Sequence, residues 1–146
     1  MIIMNLTLDS IKYFILNGKF ENGLDVGISK DDVIKIFGNP PNFQPQKKKN
    51  HAIMGWGALN IYLYSSMVTD FSINDTFNYL DNLNMETIEK ETVIRYLKDY
   101  SIRIDSTYNS FVDKDDTDCI SFNDITLGFL KNKLIYISKG KWEQIK

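Results

Sequence analysis

Cysteine occurs once, at Cys119, and histidine once, at His51, in a chain of 146 residues. A single cysteine closes no internal disulfide. One Cys and one His also fall short of a zinc site, which takes three or four such ligands. A Cys–His nucleophilic pair stays open on composition alone. Cys119, however, lies in Asp118-Cys119-Ile120-Ser121-Phe122, a strand-like stretch beside carboxylates. Their charge raises a thiol pKa, the wrong direction for a nucleophile, so a plain buried or half-buried thiol is expected.

Long apolar runs are missing too. No stretch approaches the roughly 20 apolar residues of a membrane-spanning helix. The segment Met1-Ile2-Ile3-Met4-Asn5-Leu6-Thr7-Leu8-Asp9 has no basic region and no small-residue cleavage site. A secretory signal is therefore not expected, and the cytoplasm is the simplest location.

Excess positive charge is absent. Seventeen Lys and Arg stand against 19 Asp and Glu, a formal charge of −2. A general nucleic-acid binder needs a basic footprint to displace counterions, so neither a nucleic-acid nor a membrane partner is expected. A basic protein partner is compatible with this balance. No phosphate-cradling glycine loop and no serine elbow occur. Asp31 and Asp32 are adjacent at a helix start and suit dipole stabilisation, whereas acid–base catalysis wants two carboxyls in different environments. The expectation is a protein without catalysis, metal or cofactor. With 43% hydrophobic and 25% charged residues, one ordinary globular domain is expected.

What is present is internal similarity. Ile28-Ser29-Lys30-Asp31-Asp32-Val33-Ile34-Lys35-Ile36-Phe37 matches Ile88-Glu89-Lys90-Glu91-Thr92-Val93-Ile94-Arg95-Tyr96-Leu97 at an offset of 60. Each segment gives a short helix one buried stripe. Ser29 is a candidate N-cap, and Gly38 before Pro40-Pro41 is expected to stop the first helix in a left-handed C′ conformation. The second helix lacks that stop and is expected to run on through Lys98-Asp99-Tyr100.

A second match has an offset of 66: Leu59–Leu63 with Ile125–Phe129, and Val68–Ser72 with Leu134–Ser138. Both alternate like strands, with Ser65-Ser66 and Lys131-Asn132 as two-residue turns. Between helix and strands lie a basic loop, 45–50, in the first unit and an acidic connection, 113–118, in the second. Ile11, Phe14 and Ile15 before Gly18 predict a short N-terminal helix over about 8–17. Residues 74–86 are expected to join the units as a partial helix.

The fold class expected is α+β. Tandem helix-plus-β-meander repeats, about 23–73 and 87–138, form one antiparallel sheet of about six or seven strands with helices on one face.

Two candidate binding sets follow. Asp113, Asp115, Asp116 and Asp118 form the densest charge cluster. A calcium loop is not expected, because counting from Asp113 the Gly and Glu positions an EF-hand requires hold Asp118 and Asp124. An anionic clamp for a basic protein and a solvated loop both stay open. The second set is aromatic. If Leu59, Ile61 and Leu63 face the helices, alternation puts Tyr62, Tyr64, Asp70 and Tyr136 on the open side. Such tyrosines suit partner binding, or cover the sheet, or meet a second copy of the chain. Trp56 and Trp142 read as packing residues, and Lys47-Lys48-Lys49 as a solvated turn.

Gly27-Ile28-Ser29-Lys30-Asp31-Asp32-Val33-Ile34-Lys35-Ile36-Phe37-Gly38-Asn39-Pro40 resembles the helix and turn of the beta-lactamase-inhibitor-protein-like fold. That fold is shared with the small lipoprotein of the outer-membrane barrel-assembly machinery, whose lipidation cysteine has no counterpart here. The whole chain, with Trp56-Gly57 before the Leu59–Tyr64 strand, also resembles the cytoplasmic immunity proteins of bacterial polymorphic toxin systems, including contact-dependent inhibition. The resemblance implies an immunity protein that occludes the active site of one cognate toxin domain, a basic one such as a nuclease. The alternative is an assembly module unconnected to toxins, acting as a homodimer through the same sheet face.

Overall fold

The computed structural model describes residues 4–74, 83–112 and 115–140. Ten strands and three helices lie within them: β1 (Met4–Leu6), α1 (Leu8–Asn17), α2 (Lys30–Phe37), β2 (Asn42–Pro45), β3 (His51–Trp56), β4 (Leu59–Tyr64), β5 (Met67–Asn74), β6 (Leu83–Met85), α3 (Lys90–Asp99), β7 (Ser106–Val112), β8 (Asp115–Phe122), β9 (Ile125–Leu130) and β10 (Lys133–Gly140). The class is α+β.

Local chemistry sets the helix ends. The Thr7 hydroxyl accepts the Ser10 amide at 3.1 Å, and the Ser10 hydroxyl accepts the Thr7 amide at 2.7 Å, a reciprocal capping box on α1. Ser29 caps α2 by accepting the Asp32 amide at 3.1 Å. Glu89, before α3, makes no side-chain cap. Gly18 ends α1 in the left-handed conformation. Gly38 ends α2 differently from the expected left-handed cap. Its φ of 82° is positive, but its ψ of −173° is extended, and this turns the chain directly into Asn39-Pro40-Pro41. α3 runs to Asp99, with Tyr100 as its C-cap.

Eight strands form one antiparallel sheet in the order β2-β3-β4-β5-β10-β9-β8-β7. The sequence predicts six or seven. The difference lies at the edges, where β2 holds Pro45 and is exposed throughout, and β7 has no apolar alternation. Edge strands face water on more sides, so they carry a weaker pattern. The acidic connection is also shorter than expected, because Asp115, Asp116 and Asp118 belong to β8. Residues 75–82, expected as a partial helix, lie outside the described residues. Leu83–Met85 is strand β6, which pairs in parallel with β1.

Tight turns join the meanders. Ser65-Ser66 and Lys131-Asn132 take positive φ at both positions, as does Asn123-Asp124. That geometry matches the twist of the flanking strands.

All three helices lie on one face. Phe14 of α1 meets Phe71 of β5 at 6.1 Å between ring centres and stacks on Phe20 at 4.2 Å. Phe37 of α2 meets Trp56 of β3 at 5.4 Å. Tyr96 of α3 donates to the Lys12 carbonyl of α1 at 3.3 Å. Met54, Ile61, Phe71, Ile73, Ile120, Phe122, Leu127 and Ile137 complete the core beneath them, each at most 1% exposed.

The starts of α2 and α3 each meet a β-turn or strand of the sheet. Ser29 bridges Met67, and Glu89 bridges Lys133. The Lys30 amide donates to Ser66, and the Lys90 amide to Asn132, both at 2.8 Å.

Candidate functional site

Strand register fixes which residues share the face without helices. Tyr62 of β4 stands across from Asp70 of β5, and Asn60 across from Ser72. Ser72 faces Ser138 of β10, and Gly140 faces Asp70. Tyr136 lies across from Gly128 of β9, which lies across from Cys119 of β8, which lies across from Tyr108 of β7. His51 pairs with Tyr64 at the other end. The face therefore carries Tyr64, Tyr62, Tyr136 and Tyr108, with Ser, Thr, Asn and one carboxylate between them. Four of the sequence candidates, Tyr62, Tyr64, Asp70 and Tyr136, come together here.

The middle of this face is polar yet shut off from water. Asp70 and Ser138 are each 1% exposed, and Thr117 is 0% exposed. Asp70 Oδ1 accepts the Thr69 hydroxyl at 2.6 Å. Asp70 Oδ2 and Thr117 Oγ1 are buried without a hydrogen-bond partner, and Ser138 Oγ is buried beside the Tyr136 phenol. Leaving such groups unpaired costs about 1–3 kcal/mol each. Native proteins tolerate that chiefly where a ligand, ion, water or partner supplies the missing bond.

Burial governs the titration of the face. It pushes the Asp70 carboxyl up, and the Thr69 hydrogen bond opposes this. Burial likewise raises Tyr62, with help from the Asp70 charge, while Ser72 opposes it. Tyr136 is raised by burial, with Ser138 opposing and Tyr62, Tyr108 and Cys119 adding to the rise. The phenols thus stay neutral donors at pH 7. Burial also raises the Cys119 thiol; Tyr108 opposes this and Asp118 adds to it. Cys119 and His51 are five strand spacings apart, about 24 Å. They form no nucleophilic pair.

Sterics shape the floor. A Cβ on Gly128 would come within 3.0 Å of Tyr136 Cβ and 3.1 Å of Thr117 Cγ2. Glycine is what lets the Tyr136 side chain share that spot.

The acidic candidates behave differently. Asp118 lies across from Phe129, on the side of the helices, and pairs with Lys90 of α3 at 3.5 Å. It does not join the tyrosine face. Asp115 and Asp116 lie in β8, their side chains outside the described residues, as is Asp113 altogether. Among the described residues no three His, Cys, Asp or Glu side chains gather as a metal site requires. No described helix is long and apolar enough to cross a membrane. Trp56 packs in the core at 2% exposure; Trp142 lies outside the described residues.

Sequence reasoning missed Tyr108, 47% exposed at the far end of the face, and the buried Ser138 and Thr117. The signal for Tyr108 was its position opposite Cys119, which only the edge-strand register reveals.

No known family model matches this sequence, and no curated protein matches it. A crystal structure of a DUF4309 family protein (YjgB) from Bacillus subtilis subsp. subtilis str. 168 is similar in fold, with a TM-score of 0.51 and 12% identity. The likeness covers 91% of this chain and 95% of that one. At that identity it speaks to the fold alone.

Proposed function

We propose that this chain is a non-catalytic binding protein that grips a partner protein on the helix-free face of its sheet. In its specific form it is an immunity protein that neutralises one cognate bacterial toxin domain. The observation that carries the reading is the tyrosine-lined helix-free face, with Tyr64 and Tyr108 about half exposed at its two ends. Eight strands spaced about 4.8 Å apart, each about 20 Å long, give a face of roughly 700 Å². A standard interface uses about 800 Å² per partner, so the dimensions suit one protein domain. Tyrosines supply rigid apolar area plus a hydroxyl. The acidic residues of the β7–β8 hairpin add steering toward a basic toxin.

We also read the two halves as copies of one helix-plus-meander unit. The paired bridges Ser29–Met67 and Glu89–Lys133, offset by the same 60 and 66 residues as the sequence match, support that reading. The DUF4309 likeness supports the architecture and carries nothing about partners.

The test is co-expression with the toxin domain encoded beside this gene. Rescue of growth and a co-purifying complex are expected. A neighbourhood that encodes no toxin domain, together with failure to rescue, would remove the immunity reading.

A further inference from the structure

A groove lies at the sheet edge where α2 begins. Lys30, Phe43, Pro45, Lys48, Lys49 and Leu63 line it, around a volume of about 240 Å³. Lys30 Nζ sits 4.6 Å from the centre of the Phe43 ring, which is 45% exposed. No acidic residue lines the groove. Among the described residues, none of these lysines makes an ion pair. In sequence, Lys47-Lys48-Lys49 reads as a solvated turn. The fold changes that reading by adding Lys30 from a distant helix and a half-exposed aromatic ring beside it.

The chemistry selects a ligand class. Ammonium groups without a carboxylate partner around one opening favour anions, and the half-exposed Phe43 ring favours an apolar group. The volume is below the roughly 300 Å³ at which small-molecule sites begin, and fits one or two side chains. A nucleic acid would need basic surface continuing over many phosphates. Here Asp31 and Asp32, in the first turn of α2, bound the positive region. We propose that this groove receives an acidic segment of a partner protein. One apolar side chain lies against Phe43, and carboxylates meet Lys30, Lys48 and Lys49. Phe43 is in register with the buried Met54, so the groove opens on the helix side and does not rest on the tyrosine-face reading.

The experiment titrates the full ¹⁵N-labelled chain with the capped peptide Glu-Asp-Phe-Glu-Asp-Ile. Its amide analogue Gln-Asn-Phe-Gln-Asn-Ile and sodium phosphate are run alongside. Saturable amide shifts confined to residue 30 and residues 43–50 are expected. Binding should weaken roughly tenfold in Lys30→Gln/Lys48→Gln, whose spectrum elsewhere stays native, and should weaken with added salt. Absence of saturable shifts, or equal shifts from the amide analogue or from phosphate alone, would overturn the proposal. The same shifts on simply concentrating the free protein would make a second copy the occupant, and would overturn it equally.

Discussion

Tyr62 stands directly across from Asp70 on the helix-free face, and the Asp70 carboxylate is almost wholly shut off from water. A charge held there is a liability to folding. Because burial raises the folded-state pKa above the unfolded value of about 3.9, the native state holds this proton more tightly. The resulting stability is fully present below the unfolded value and is lost as pH rises through the folded one. Asp70→Asn keeps the acceptor for Thr69 and removes the charge. It is expected to be about 1 kcal/mol more stable at pH 7, with a flatter profile above pH 4, in urea unfolding at several pH values.

Gly140 lies across from Asp70 with φ of 152°, and a Cβ there would collide with the Asp70 Cβ. Gly140→Ala is expected to lose about 3 kcal/mol, read as a lower urea midpoint. Unchanged stability would mean that β5 and β10 lie farther apart at this pair than described.

Lys139 projects from β10 to the helix side, where its ammonium meets Asp25 Oδ1 at 2.7 Å and the Gly18 carbonyl. Its side chain is 14% exposed. Lys139→Met is expected to cost about 2 kcal/mol, since it takes the ammonium away from both the Asp25 carboxylate and the Gly18 carbonyl. A double-mutant cycle with Asp25→Asn should give a coupling of about 1 kcal/mol or more.

Cys119 has a raised thiol pKa because it is buried, with the Asp118 charge adding to the rise. Its reaction with a disulfide reagent at pH 8 is expected to be roughly tenfold or more slower in the folded protein than in urea. Equal rates would place the thiol at the surface.

The sequence makes the central elements legible because each carries a strong local pattern. Ser29 caps where a cap is expected, and the Ser65-Ser66 and Lys131-Asn132 turns form as the flanking alternation requires. Tyr62, Asp70 and Tyr136 share a face because a strand's side chains alternate with period two. The edges are harder. β2 contains Pro45, whose missing N–H is tolerable only at a sheet edge. β7 reads Ser-Thr-Tyr-Asn-Ser-Phe-Val, which alternates in neither charge nor hydropathy. The parallel β1–β6 pair joins residues 79 apart, as in the Asn5–Asn84 hydrogen bond, and no local signal announces such a contact. Asp118 illustrates a further limit. Charge clustering groups it with Asp113, Asp115 and Asp116, whereas register sends it toward Lys90 on the opposite side.

If a toxin domain is encoded beside this gene, as the proposed function requires, calorimetric titration with that domain tests most directly whether the helix-free face grips a partner. Wild-type protein should form a one-to-one complex. Tyr62→Ala/Tyr136→Ala should bind about a hundredfold more weakly while keeping a native spectrum, as expected for two anchoring aromatics. Equal affinity of the variant and the wild type would contradict the account.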